Sequence, residues 1–366
     1  MSIRPSRHSL FPRCLIGLGL LLPALPGHAF SVCVGTAQQL HDALVSAEIT
    51  SDTNVVIKIR TGTYIATAAT GSFKSTVSHS NQVVEVSGGW SGPNNSCQDK
   101  TFNSAATILV GPADRIALHL STNSAISGST LHAHDLTLSS PGYTGTSLGA
   151  CLNTYVTAGN EALLERLQMV ECLAPNGYNA AGYLENTAGL LTVRDVFVRS
   201  SSAKSNGGLS VSTYDGGTSR IAHLSVANTV SSAADSLLSG LYIANFGNSF
   251  TYLGNSVFWG NDPDPTTADL SVFGSGVFLT RTHYGSLRGT PAANLSPSSG
   301  DPGFVAYNNP RPRADSILVD SGIANPQGGS GTFDADGRTR VLGPAVDIGA
   351  FESELIFADG FQTTAP

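Results

Sequence analysis

The sequence predicts an all-β fold in which short strands wind into a solenoid of stacked coils. A strand pattern recurs five times in the middle of the 366-residue chain, and each copy contains an apolar–x–apolar triplet. A repeat of this length indicates a solenoid or a similar array. Alternate apolar residues fit strands that turn one face into the coil. Successive triplets start 28 to 33 residues apart: Leu136/Leu138, Leu167/Met169, Val196/Val198, Leu224/Val226 and Val257/Trp259.

A second recurring strand lies between these triplets and supports the same fold. A small residue before each strand permits a tight corner. These residues are Ala150, Gly182, Gly208, Gly240 and Gly276. At roughly 22–32 residues per turn, we predict a right-handed parallel β-helix of about eight to ten turns. The repeats are expected to occupy residues 116–285.

Residues 1–29 are predicted to be a signal peptide. Arg4, Arg7 and Arg13 form its positive region, and the apolar stretch 14–25 is too short to span a bilayer. No later apolar stretch is long enough to cross a membrane. The predicted mature chain has a net charge of −10, because the signal removes three of the 19 basic residues and none of the 26 acidic ones. This charge argues against a nucleic-acid partner, which requires a basic face.

The segments on either side of the repeats are predicted to be caps. Residues 30–115 are expected to form an N-terminal cap and the first turns of the coil. They contain one clear helical pattern, over 36–47, with Thr36 as the N-cap. The apolar residues on one face of this helix are Leu40, Ala43, Leu44 and Ala47. Residues 286–366 start with a proline-rich stretch and are expected to form an irregular C-terminal cap and tail.

Four cysteines remain after the predicted cleavage. An even number in an exported protein suggests two disulfides. We expect the pairs Cys33–Cys97 and Cys151–Cys172. The other two connectivities stay open.

Several motifs resemble a known family. The helix pattern followed by VVIKIRTGTY resembles the opening of secreted right-handed parallel β-helix proteins of the pectin-lyase-like superfamily. The ordered series NSVFWGN, DPGF, SILVDSG, DADGRTR and VDIGAFE is similar to the choice-of-anchor Q type of bacterial surface β-helix protein. The terminal IFADGF resembles a C-terminal tag on exported proteins of some Gram-negative bacteria. The resemblance implies a β-helix that is secreted or displayed at the cell surface, and it transfers no catalytic residue.

The repeat also predicts which side chains form columns on the outside of the coil. If the first apolar residue of each triplet points inward, the residue before it points outward, which gives Asp135, Arg166, Asp195, His223 and Ser256. The next outward column is Thr137, Gln168, Phe197, Ser225 and Phe258. Charged groups beside aromatic rings are suited to binding sugars. We predict ligand contact by Asp135, Arg166, Asp195, His223, Gln168 and Phe197. The alternative is a ladder of charges that keeps a long sheet soluble.

The leading functional prediction is an exported or cell-surface monomer without catalytic activity that contacts polysaccharide or another surface. One alternative is a polysaccharide lyase or glycoside hydrolase acting on an acidic polysaccharide, and another is a structural surface component without a ligand. A lyase would need carboxylates that hold Ca²⁺ and a basic side chain, for which the nearest candidates are Asp195, Arg194 and Arg199. A hydrolase would need paired carboxylates, for which the candidates are Asp262, Asp264 and Asp269.

The HAHD motif raises the question of a metal site. His132 and His134 are spaced so that, with Leu136 and Leu138, they would point inside the coil, unless the strand starts later and they lie at a corner. The DADG motif at 334–337 resembles part of a calcium loop but lacks the later bidentate glutamate. We predict no metal and no cofactor, with Ca²⁺ as the weak alternative.

Overall fold

A computed structural model describes residues 29–67, 69–146, 148–233, 238–261 and 267–353. These residues form a parallel β-solenoid of about eight turns with one N-terminal helix, which confirms the predicted fold class. The predicted signal peptide, except Ala29, lies outside the described residues, as do the IFADGF motif, Asp262 and Asp264. Within the described residues, no helix is both long and apolar enough to cross a bilayer.

The strands of the described residues fall into three groups along the chain. The N-terminal strands are β1 (Ala29–Val34), β2 (Asn54–Arg60), β3 (Gly62–Ile65), β4 (Phe73–Val77), β5 (Val83–Ser91), β6 (Asp99–Lys100) and β7 (Thr107–Val110). The repeat strands are β8 (Leu118–Thr122), β9 (Thr130–Ser140), β10 (Leu152–Val156), β11 (Glu161–Tyr178), β12 (Gly182–Thr187), β13 (Leu190–Ser205), β14 (Leu209–Tyr214), β15 (Thr218–Ser231), β16 (Leu238–Asn245), β17 (Phe250–Trp259), β18 (Ala268–Phe273) and β19 (Val277–Tyr284). The C-terminal strands are β20 (Leu287–Arg288), β21 (Ala293–Leu295), β22 (Phe304–Ala306) and β23 (Asn309–Pro312).

The strands build two long sheets that face each other across the core. In the described part of the chain, the larger sheet has thirteen strands, ten of them in the order β1-β2-β5-β9-β11-β13-β15-β17-β19-β21. The smaller sheet has eight, in the order β20-β18-β16-β14-β12-β10-β8-β4. Neighbours that follow each other along the coil pair in parallel, as β11 does with β9 and β13. The chain therefore contributes one strand to each sheet per turn.

The N-terminal helix α1 (Ala37–Ile49) forms where the sequence predicts it. Thr36 has extended backbone angles, and its Oγ1 accepts a hydrogen bond from the Gln39 amide at 3.2 Å, so it caps the helix start. The buried residues are the four predicted ones, Leu40, Ala43, Leu44 and Ala47. They pack into the main apolar cluster of the coil, so the helix covers part of the core near its N-terminal end.

The predicted inward column is correct for four of its five members. Leu136, Leu167, Val196 and Leu224 are at most 1% exposed and belong to one apolar cluster. The fifth member is wrong because the register shifts by one residue. Val257 lies opposite Ser225, which is an outward position, and Phe258 takes the inward position opposite Val226.

A residue in the left-handed region precedes each inward column position. We name Asp135, Arg166, Asp195, His223 and Asn255 the corner column; their φ angles lie between +46° and +58°. Each bends its strand and shifts the alternation of faces by one residue, as a bulge does. Asn255, and not the predicted Ser256, completes this column.

The shift at Asp135 reverses the predicted orientation of the two histidines. Leu131 and Ala133 are fully buried in the core before the corner, and Leu136 is fully buried after it. His132 and His134 alternate with these core residues and therefore point out of the coil. The prediction that they point inward is wrong, because it carried the alternation of Leu136 and Leu138 back through the corner.

Both predicted disulfides are confirmed. Cys33 is bonded to Cys97 and Cys151 to Cys172. The first joins β1 to the segment after β5, and the second joins the residue before β10 to β11. Such bonds are typical of proteins in oxidising compartments.

The C-terminal segment does not simply close the end of the coil. Residues 318–353, which we name the C-terminal strap, lie along the side of the solenoid. The strap starts near Asn255, whose Oδ1 accepts a hydrogen bond from the Ile323 amide at 2.9 Å. It reaches the first turns, where the Phe333 ring stacks on Phe102 at 4.3 Å, and it returns to Asn255, whose carbonyl accepts a bond from the Gly349 amide at 2.8 Å.

Candidate functional site

The predicted ligand column points out of the coil, but the strap and nearby loops cover it. Asp135, Asp195 and His223 are 0% exposed, and Arg166 is 5% exposed. Gln168 and Phe197, from the second column, are 6% and 1% exposed. The assumption that these side chains face solvent is therefore wrong. The strap packs over Asp195 and His223, and residues 102–104 pack over Arg166 and Gln168.

The first two residues of the corner column, Asp135 and Arg166, belong to an ion-pair network. Arg166 donates to Asp135 through Nε at 2.6 Å and also contacts Glu165. Lys100 Nζ lies 3.0 Å from Asp135 Oδ2. Burial acts to raise the pKa of Asp135, but hydrogen bonds from His134 and Arg166 outweigh it and hold the pKa below its usual value. This network stabilises charges within the fold, and it occupies both carboxylate oxygens of Asp135, which are then not free to contact a ligand.

The next two residues of the corner column, Asp195 and His223, contact the strap. Arg340 is 1% exposed, contacts Asp195, and donates to Glu352 Oε1 at 3.0 Å. Burial raises the pKa of Asp195 to about 7 despite the Arg340 charge, and it raises the pKa of Glu352 to about 7 as well. His223 Nε2 lies 3.0 Å from Ser330 Oγ, and burial holds the pKa of His223 well below its usual value.

The three weak catalytic candidates do not form one accessible site. Asp195 lies beneath the strap, and Arg194 is paired with Glu165 at 3.2 Å. The Arg199 guanidinium lies 5.9 Å from the centroid of the Phe197 ring. Asp269, the hydrolase candidate among the described residues, is 6% exposed and accepts hydrogen bonds from Asn261 and Ser286, which ties two segments of the fold together.

The outer face of the smaller sheet carries aromatic residues for which the sequence analysis predicted no ligand contact. We name it the aromatic face, and it consists of His119, Tyr155, Tyr183, Tyr214, Tyr242, Phe246 and Phe273. These residues alternate along their strands with core residues such as Leu118, Leu184 and Leu241. The rings do not occupy one equivalent position in successive turns, since Tyr155 lies opposite Ser121 and Glu185 whereas Tyr183 lies opposite Asn153. They therefore form a staggered series along the axis of the solenoid.

Neighbouring rings of the aromatic face are in contact in two groups. In the first, the His119 and Tyr155 centroids are 5.5 Å apart, and those of Tyr155 and Tyr183 are 6.1 Å apart. In the second, Tyr214 and Phe246 stack at 4.7 Å with nearly parallel planes, and Phe246 lies 5.7 Å from Phe273. Phe246 and Phe273 remain 38% and 55% exposed.

Polar groups lie between these rings. Tyr183 donates a hydrogen bond to Glu185 Oε2 at 2.9 Å. Burial raises the pKa of Tyr155, Tyr183 and Tyr242. Three buried polar side chains lie opposite aromatic residues across the strands: Asn153, Ser210 and Ser271.

A third cluster lies on the outer face of the larger sheet. Glu85 lies opposite His132 in the pairing of β5 with β9, and His134 is two residues further along the same face. The hydrogen bond with His134 is the main reason that the pKa of Glu85 falls to about 2. The sequence contains the HAHD motif, but the corner at Asp135 was the missing information that places both histidines outside.

Together, the fold and these surfaces define a disulfide-bonded parallel β-solenoid with a staggered series of aromatic rings on the smaller sheet, of which Phe246 and Phe273 are exposed. No family model and no curated protein matches this chain. Membership in the pectin-lyase-like superfamily, suggested by the motifs, therefore stays a prediction.

Proposed function

We propose that this chain is an exported or cell-surface polysaccharide-binding protein, and that the aromatic face is its binding surface. The observation that carries the proposal is the series of contacting rings that ends in the exposed Phe246 and Phe273. Sugar rings present C–H groups on their faces and hydroxyls at their edges. Aromatic rings match the first, and the hydroxyls of the partly exposed Tyr155, Tyr214 and Tyr242 match the second.

The geometry of the coil favours a chain ligand over a small molecule. The aromatic face extends over successive strands of the smaller sheet, from His119 in β8 to Phe273 in β18. An extended surface of this kind offers repeated contacts to a polymer and does not enclose a monosaccharide. Each contact is weak, and several contacts on one chain add to the affinity.

The charge of the chain as a whole disfavours an acidic polysaccharide. The predicted mature chain has 16 basic and 26 acidic residues, a net charge of −10, so an acidic polymer would be repelled at long range. Close to the aromatic face, Glu185 lies between the rings and the cations Lys74 and Arg288 lie only at the two ends of the smaller sheet. This departs from the acidic substrate expected for the enzymatic alternative.

The experiment is a binding screen of the protein, without tags, against neutral and acidic polysaccharides by affinity electrophoresis, followed by calorimetry on the positive polymers. We expect binding to at least one neutral polysaccharide. Phe246→Ala should weaken it about tenfold, since removing one stacked aromatic contact costs about 1.4 kcal/mol. The matched control is Phe250→Ala, which removes a ring of similar exposure, 42%, from a strand of the larger sheet.

Two results would contradict the proposal. The first is a screen without binding to any neutral polymer. The second is an equal loss of affinity in Phe246→Ala and Phe250→Ala, which would mean that the aromatic face has no special role.

A further inference from the structure

The histidine–glutamate cluster, formed by Glu85, His132 and His134, has the composition of a metal site. Each residue offers one ligand atom, and the three atoms lie within 4.8 Å of one another. Two imidazole nitrogens and one carboxylate oxygen are a common ligand set for Zn²⁺ and related divalent transition metals. We propose that this cluster binds one such ion, with Zn²⁺ as the reference case.

The backbone explains why these three residues come together. β5 and β9 are neighbours in the larger sheet, and their parallel register sets Glu85 beside His132. His132 and His134 are two residues apart in one strand and share a face, and their rings lie 4.2 Å apart. Regular strands thus position all three ligands, so the cluster does not depend on a flexible loop.

The contacts around the histidines resemble the outer contacts of known metal sites. His134 Nδ1 lies 2.7 Å from Asp135 Oδ2, and His132 Nε2 lies 3.3 Å from Glu165 Oε2. A metal-binding histidine usually has its other ring nitrogen bonded to such a carboxylate, which fixes the ring. Asp135 is itself fixed by Arg166 and Lys100. These two cations each lie 3.3 Å from His134 Nδ1, on the opposite side of the ring from Nε2.

The Nε2 atom of His134 is the position that a metal would take over. It lies 3.2 Å from Glu85 Oε1. Because Nδ1 faces Asp135, Nε2 is the nitrogen that faces Glu85. A divalent ion between them would form bonds to Nε2 and to the carboxylate oxygen, and any proton held there would pass to water.

The cluster is open to solvent on one side, which allows an ion to enter. The side chains of Glu85 and His132 are 31% and 24% exposed, whereas that of His134 is 7% exposed. Three protein ligands with an open side leave a coordination position for water or another ligand. The site therefore differs from a closed structural zinc site with four protein ligands.

The test uses the full chain, without an affinity tag, after chelator treatment. Metal content after incubation with Zn²⁺ and dialysis should be one ion per chain, and Co²⁺ should produce visible d–d absorption bands. Melting temperature should rise with added Zn²⁺, because an ion that binds only the folded state stabilises it. Two variants address the ligands: His132→Ala, at a partly exposed position, and Glu85→Gln, which keeps the size of the side chain. Each should weaken Zn²⁺ binding at least tenfold.

The control variant is His41→Ala, on the partly exposed side of α1 and outside the cluster. It should bind Zn²⁺ as tightly as the parent protein does. Weaker binding would mean that histidines outside the cluster also contribute. The proposal is overturned if the parent protein retains no Zn²⁺ and gives no Co²⁺ bands, since the cluster is then only a set of hydrogen bonds between His134 and two carboxylates. It is also overturned if His132→Ala and Glu85→Gln bind as tightly as His41→Ala. Polysaccharide binding on the opposite sheet does not enter either result.

Discussion

The attachment of the C-terminal strap is expected to depend on one side chain, Arg340. Its guanidinium contacts Asp195 of the corner column and donates to Glu352 at 3.0 Å, within the strap. It also donates to the carbonyls of Gly349 and Ala350, each at 3.2 Å. Replacement of Arg340 by methionine keeps an apolar stem of similar length and removes every one of these contacts.

The size of the effect follows from burial. Arg340 is 1% exposed and Asp195 is 0% exposed, so the variant leaves a buried carboxylate without its cation. Removing one partner of a buried ion pair typically costs about 3–5 kcal/mol. Since about 1.4 kcal/mol corresponds to a factor of ten, the fraction of molecules with an open strap should rise by about a hundredfold or more.

Two measurements report this change. Hydrogen exchange followed by mass spectrometry should show lost protection in residues 331–353, and urea unfolding should give the change in the free energy of unfolding. Arg313→Met is the control, because Arg313 and its partner Asp315 have side chains that are 52% and 76% exposed. An exposed pair of this kind contributes about 1 kcal/mol or less.

A double-variant cycle with Asp195→Asn separates the pair from its parts. The cost of Arg340→Met should be smaller in the Asp195→Asn background, since the variant then leaves no buried charge at that position. The reasoning fails if Arg340→Met is within about 1 kcal/mol of the parent protein, a cost no larger than that of an exposed pair. It also fails if the exchange of the strap is unchanged.

Two further predictions concern pH and the disulfides. Because burial raises the pKa of Asp195 and Glu352 to about 7, the folded chain binds more protons than the unfolded chain between about pH 4 and 7. Their contribution to strap stability is therefore fully present below about pH 4 and is lost progressively as the pH rises to about 7. Protection factors of the strap should be lower at about pH 8.5 than at about pH 4, and higher protection at the upper pH would contradict this sign. Replacing Cys151 and Cys172 by alanine opens a loop with a sequence separation of 21, which should lower the free energy of unfolding by about 3 kcal/mol in urea titrations. An unchanged unfolding midpoint would contradict it.

The features that the sequence predicted correctly are those set by neighbouring residues or by the repeat. The face of α1, its cap at Thr36 and the inward positions of Leu136 and Leu167 follow from spacing alone. The fifth turn was misplaced because Ser256, opposite Leu224, occupies an inward position that is apolar in the other turns. The apolar pair Val257 and Trp259 therefore matched the pattern better than the true pair, Ser256 and Phe258. Aligning triplets cannot distinguish an inward apolar residue from one that packs against another segment.

The residue types of the corner column indicate the bend that the strand pattern alone did not predict. Asp, Asn and His adopt left-handed backbone angles more readily than most other residues, and Asp135, Asp195, His223 and Asn255 occupy the same place in successive turns. A bend at this place would have turned His132 and His134 outward. The cover over the column had no local signal, since Asp195 and Arg340 are 145 residues apart in sequence.

The strap changes how the whole coil responds to damage. In an ordinary solenoid each turn touches only the next, so one end can unravel while the other stays intact. Here the strap contacts turns from Phe102 to Asn255, so the opening of early turns is linked to that of later ones. The strap is also synthesised after the turns that it covers, so during biosynthesis the charged corner residues stay hydrated until residues 318–353 have followed. A chain truncated before residue 318 should therefore retain the strands of the coil but lose resistance to proteases.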